Sequence, residues 1–171
     1  MHVFARVVSV IFMAGLSTAS ANECAQTLSD ADDSSRSTAH RLINYVEQHW
    51  EIAITEKPDR VSVSVVDDPS GDGTKIDFYR VKFKNFHAGF YRYPDGTPMP
   101  SVLSTMSPSF KLPCGLKMGQ SQAKVKATIG SPTYTQAESF IYATGGDQNG
   151  EVILKFTHGK LRYVAWQYDT H

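Results

Sequence analysis

The spacing of apolar residues changes once along this chain, and that change confines it to a mixed fold. From Ala39 to Trp50, the residues Leu42, Ile43, Val46 and Trp50 recur at helical intervals, which predicts a helix with one apolar face. Thr38 stands where a cap is needed, and Arg41, Glu47 and Gln48 fall on the water-facing side. Ile52 and Ile54 extend toward a short strand, and Lys57-Pro58-Asp59 marks a turn. Beyond it, Val61, Val63 and Val65 alternate with Ser62 and Ser64, the period of a strand with one buried face.

The strand-like character continues through IDFYRVKFKNFHAGFYRY, residues 76 to 93, where seven aromatics are interleaved with Arg80, Lys82, Lys84 and Arg92. In a continuous strand Phe78, Arg80, Lys82, Lys84 and Phe86 share one side, and Tyr79, Val81, Phe83 and His87 the other. Two readings stay open. One is a solvated face whose long aliphatic stems cover apolar groups. The other is a docking surface for an acidic protein or glycan, and its candidate contact residues are Tyr79, Arg80, Phe86, Tyr91, Arg92 and Trp166.

Turn signals divide the rest. Asp68, Ser70, Asp72 and Gly73 match the opening of a calcium loop, but Tyr79 stands where that loop needs Glu, so an acidic hairpin connection is expected. Pro94-Asp95-Gly96 is a turn. Pro98, Pro100 and Pro108 then exclude a long helix and indicate an ordered excursion up to Pro113, one that offers Met99, Val102, Leu103 and Phe110 to a partner. Further on, Ser121 caps a helix containing Ala123, Val125, Lys126 and Ile129, and Gly130 and Pro132 end it. Three strands follow at 140 to 143, 151 to 156 and 161 to 167, with turns at Asp147 to Gly150 and at His158-Gly159-Lys160. The expected fold class is therefore α+β, a small two-layer domain with helices packed on an antiparallel sheet.

The N-terminus sets the expected location. His2 and Arg6 precede an apolar run from Val7 to Leu16, and Ala19-Ser20-Ala21 ends in small residues, so residues 1–21 read as a secretory signal peptide. The run is about half the ~20 residues a spanning helix needs, so no transmembrane segment is expected in the mature chain. Residues 22–171 are expected to form a single periplasmic or secreted domain, with 112–171 forming a helix plus a three-stranded meander. Without Arg6 the mature segment holds 16 Lys and Arg against 17 Asp and Glu, a balance that disfavours nucleic acid as a partner. Export also makes a disulfide between Cys24 and Cys114, the only two cysteines, the natural expectation. In the chain-entropy model such a crosslink contributes roughly 4 to 5 kcal/mol. Neither cysteine sits in a C-x-x-C pair, which favours a structural role over a reactive one.

The C-terminal segment resembles the outer-membrane assembly lipoproteins of the SmpA/OmlA type and the related repeat of β-lactamase-inhibitory proteins. The resemblance rests on Leu116, Met118-Gly119, Ser121, Val125, Ile129-Gly130-x-Pro132, Leu154-x-Phe156, Gly159 and Leu161-x-x-Val164. It implies an envelope or secreted protein that binds other proteins and is not an enzyme. Asn22 and Glu23 before Cys24 do not form a lipobox, and residues 39 to 93 show no visible second copy of the repeat.

Ingredients for catalysis are present but unarranged. His40, His49, His87 and His158 are potential bases and Asp67, Asp68, Asp95 and Asp147 potential acids, yet no metal, nucleophile or cofactor motif joins them. Ser109 with His87, or Glu47 with Asp77, would pair only through the fold. The leading expectation is an exported, non-enzymatic domain that binds an envelope or secreted protein such as a toxin or hydrolase, as an inhibitor or immunity factor, without cofactor or metal. The alternatives are a cell-wall hydrolase or glycan-modifying enzyme and a structural envelope-assembly component.

Overall fold

Turn chemistry cuts the alternating stretches into antiparallel hairpins. The computed structural model describes Thr38, Ala39, Leu42, residues 57–145 and residues 150–168. The signal peptide, Cys24, the strand expected at Ile52 and Ile54, most of the first helix and Asp147 lie outside the described residues. Among the described residues eight strands follow one another as β1 (Arg60–Asp67), β2 (Lys75–Lys82), β3 (His87–Arg92), β4 (Pro98–Thr105), β5 (Tyr134–Gln136), β6 (Ser139–Ala143), β7 (Gly150–Thr157) and β8 (Lys160–Tyr168). A single helix, α1 (Gln122–Ile129), and a 3-10 turn (Pro113–Gly115) lie between β4 and β5.

All strand pairs are antiparallel, and the spatial order is β1-β2-β3-β4-β8-β7-β6-β5. The sheet is thus two four-stranded meanders joined by their last strands, with helical residues on its covered side: the small two-layer α+β architecture. Helical residues precede each meander in the chain, Thr38, Ala39 and Leu42 before the first and α1 before the second. The repeated order that the sequence does not display is therefore present in the topology.

Local rules account for the hairpins and the helix. Asp68 Oδ1 accepts the Ser70 amide at 2.8 Å, and Asp72 Oδ1 accepts the Thr74 amide at 2.8 Å and its hydroxyl at 2.7 Å. These carboxylates are committed to turning the β1–β2 connection. The Thr74 hydroxyl and amide hold Asp72 below the usual carboxylate range, and the Thr97 amide does the same for Asp95. His158 and Gly159 both take positive φ, 51° and 70°, which makes a two-residue turn whose twist suits the β7–β8 hairpin. Ser121 Oγ accepts the Lys124 amide at 3.2 Å and caps α1, and Gly130 ends the helix at φ 88°.

One face of the sheet carries the core. Val152, Leu154, Phe156, Val164 and Trp166 alternate inward from β7 and β8, joined by Phe140 and Tyr142 of β6 and by Val125 and Ile129 of α1. Trp166 is fully buried and donates its indole N–H to the Leu42 carbonyl at 3.1 Å. Tyr142 donates to the Gly130 carbonyl at 2.9 Å, and burial pushes its hydroxyl well above the ordinary tyrosine range. Among the described residues no helix is long and apolar enough to cross a membrane.

Four expectations need correction. Thr38 is itself helical, and its hydroxyl donates to the Ile129 carbonyl at 3.1 Å, so it ties the first helical segment to the end of α1 in place of capping. Residues 97 to 105 do not form an excursion, because Pro98–Thr105 is a strand inside the sheet. The prolines are tolerated because β8 pairs only with Val102 to Thr105, which leaves Pro98 and Pro100 on an overhang with one free edge. Val61, Val63 and Val65 face the covered side but stay 49%, 51% and 68% exposed, because β1 is an edge strand beyond the reach of the described core. The expected Cys24–Cys114 crosslink is withdrawn: no disulfide is present among the described residues, which include Cys114 but not Cys24. Cys114 itself sits at φ 57° in the 3-10 turn.

Candidate functional site

Strict alternation places a second set of side chains on the sheet face opposite the core. Register aligns them in rows across the strands. Arg60, Lys82, His87 and Ser104 stand opposite one another from β1 to β4. The next row is Ser62, Arg80, Gly89 and Val102, and the third contains Ser64, Phe78, Tyr91 and Met99. Beyond β4 the face continues through Ala165 and Gln167 of β8, Ile153 and Glu151 of β7 and Ile141 of β6. No described helix lies on it; α1 packs Val125 and Ile129 into the core on the other side.

The first two rows enclose a hollow of about 340 Å³ lined by Arg60, Ser62, Phe78, Arg80, Lys82, His87, Gly89, Val102 and Ser104 among others, with no carboxylate in its wall. Gly89 makes the hollow possible. A Cβ there would stand 2.8 Å from Val102 Cγ1 and 2.9 Å from Phe78 Cζ, so only the absent side chain lets the Phe78 ring lie down over the strand. Phe78 packs on Tyr91 with ring centroids 4.8 Å apart, and the Arg80 guanidinium lies 4.8 Å from the Phe78 centroid. Arg80 Nη1 also donates to Ser64 Oγ at 3.1 Å, which holds the guanidinium along the face. Arg60, Lys82 and His87 are exposed and have no ion pair or side-chain hydrogen bond among the described residues.

The structure divides the six candidate contact residues into three groups. Arg80 and Tyr91 meet on the open face around Phe78. Tyr79 and Arg92 belong to the covered side, where Tyr79 stacks on Phe90 at 5.1 Å and Arg92 stands opposite Asp77. Phe86 and Trp166 are buried core and unavailable to a partner: Phe86 stacks on Phe83 at 4.4 Å, and Phe110 bridges it to Trp166. The continuous strand assumed for residues 76 to 93 breaks at a turn in which the Phe83 amide donates to the Phe86 carbonyl at 2.9 Å. Lys84 therefore leaves the cation face, and His87 joins Lys82 on it. Of the loop residues offered to a partner, Leu103 and Phe110 pack in or against the core, and Met99 and Val102 reach the open face.

Arg60 and Gly89 were missed by sequence reasoning. Their signal was present only as a basic residue opening one strand and a lone glycine inside another. Among the described residues no group of three His, Cys, Asp or Glu is arranged to hold a metal ion. No hydrogen bond joins Ser109 and His87 among the described residues: the Ser109 amide donates to Ser107 Oγ in the β4–α1 connection, and His87 lines the hollow.

No protein-family model and no curated protein matches the chain. Among solved structures it is similar to an extracellular protein containing an SCP domain from Bacillus anthracis str. Ames, with 12% identity and a TM-score of 0.39 over 85% of this chain and 49% of that one. The chain spans about half of that protein's length, and a likeness this distant transfers neither fold nor function.

Proposed function

We infer that this chain is an exported, non-enzymatic protein-binding domain that engages an envelope or secreted partner through the open sheet face, as an inhibitor or immunity factor. The observation that carries the reading is the Phe78–Tyr91 pair with Arg80 laid over it, half-exposed aromatics on a face that no described element covers. Aromatic and arginine side chains held rigidly in place are the usual energetic centres of protein interfaces. The doubled order of helical residues and meander gives further support, since it agrees with the C-terminal resemblance to repeat-built inhibitory proteins.

Affinity capture from an envelope extract tests the reading, with the protein compared against Phe78→Ala and Tyr91→Ala variants of unchanged circular dichroism. A specific partner retained by the unmodified protein and lost by at least one variant is expected. Equal recovery by all three proteins would count against the face, and turnover of purified peptidoglycan would replace binding with an enzymatic role.

A further inference from the structure

We propose that the basic corner of the open face, formed by Arg60, Arg80, Lys82 and His87, docks a carboxylate-rich segment of the protein partner. This rests on the protein-binding reading and specifies the chemistry of what binds. The argument begins with a conflict in the sheet. Arg60 and Lys82 are direct cross-strand neighbours, His87 follows Lys82 in the same row, and Arg80 occupies the next row. Like charges directly opposite one another destabilise a sheet, and here no carboxylate lines the hollow to offset them.

Some other cations of the molecule do have partners. Lys75 pairs with Asp67 at the far end of the same hairpin, Lys126 lies over the Phe140 ring and Lys155 over the Tyr163 ring. What sets this corner apart is that basic residues stand directly opposite one another across the strands with no carboxylate beside them, and places where a chain breaks a local rule without internal compensation are candidates for function.

The geometry selects the ligand. Three strands span roughly 10 Å, the reach of about three residues of an extended peptide. The Phe78 ring and the Val102 side chain give the hollow apolar walls on which the methylene stem of a glutamate can rest while its carboxylate meets the cations. Arg80 is already oriented by Phe78 and Ser64, which lowers the cost of ordering it on binding. With the whole chain formally neutral, the attraction is confined to this corner, which suits a short acidic segment better than a long polyanion.

The test uses the purified protein and a fluorescent hexaglutamate peptide followed by anisotropy, with a hexalysine peptide and a single-stranded oligonucleotide of equal charge as controls. Saturable binding of hexaglutamate is expected. It should weaken about tenfold or more in Arg60→Gln/Lys82→Thr and also on raising salt from low to physiological strength. The single Lys82→Thr variant keeps the test open should the double variant fail to fold, and its melting temperature is expected to rise by about 1 to 3 °C as the like-charge contact disappears. Equal binding by the unmodified protein and a folded variant, or preference for the oligonucleotide, would overturn the proposal. If the double variant still captures the partner that Phe78→Ala loses, the acidic-segment proposal fails while the open-face reading stands.

Discussion

The two meanders share one order of strands but spend their residues differently. In β5–β8 the inward residues are fully packed: Val152, Leu154, Val164 and Trp166 have essentially no exposure, Ile141 and Ala165 of the outward side are buried as well, and Tyr134 pairs with Glu151 at 2.6 Å. In β1–β4 the inward valines of β1 are half exposed or more, two prolines enter a strand, and cations face one another on the outside. The same architecture thus carries a half that consolidates the fold and a half whose surface is left unsatisfied. Stability and recognition compete for the same alternating positions, and here they are separated along the chain.

That contrast predicts a steep difference in mutational cost. Trp166→Ala should lose about 3 to 5 kcal/mol in a urea titration, because it opens a cavity and leaves the Leu42 carbonyl without its donor. Val63→Ala on β1 should cost under about 1 kcal/mol in the same experiment. Comparable losses would break the comparison by showing that β1 is as deeply packed as β8.

A smaller effect sharpens it from within the first meander. Gly89→Ala is expected to cost about 1 to 3 kcal/mol, because its Cβ would collide with Phe78 and Val102, and to displace the Phe78 ring that walls the hollow. Chemical-shift changes confined to Phe78, Tyr91 and Val102, with partner capture reduced, would mark the glycine as the architect of the face. An unchanged ring would show that it is not.

The smallest effect concerns acid. Asp72 and Asp95 have folded-state pKa values below the ordinary 3.8, so their contribution is present above that value and is lost as pH falls through the lower, folded one. Both turns belong to the first meander and are exposed, so the protection factors of amides near Thr74 and Thr97, taken relative to intrinsic exchange at each pH, should fall below about pH 4, before those of the β7–β8 amides respond. Asp72→Asn and Asp95→Asn should flatten that dependence. Simultaneous loss of protection in both halves would show that the sheet opens as one unit.

Much of the second meander was legible because its signals are local. The Ser121 cap, the Gly130 stop and the His158-Gly159 turn each act within a few residues, and the structure places α1, β6, β7 and β8 close to where the residues indicated. The three-residue strand β5 was missed because all of it is exposed and shows no alternation of burial. In the first meander β4 was hidden by its prolines, which are excluded from a strand only when both edges are paired. Phe86 and Trp166 were read as contact residues because an aromatic has the same composition signal in a core as on a face.

What the chain determined by itself was the class of fold and the positions of several of its turns, since hydrophobic period, helix capping and turn geometry are properties of neighbouring residues. The candidate site was decided by tertiary structure. Arg60, Lys82 and His87 come from three strands, and only the cross-strand register places them in one row above Gly89. A slip of one residue would send each to the opposite face, so the site is set by long-range pairing, which no local pattern encodes.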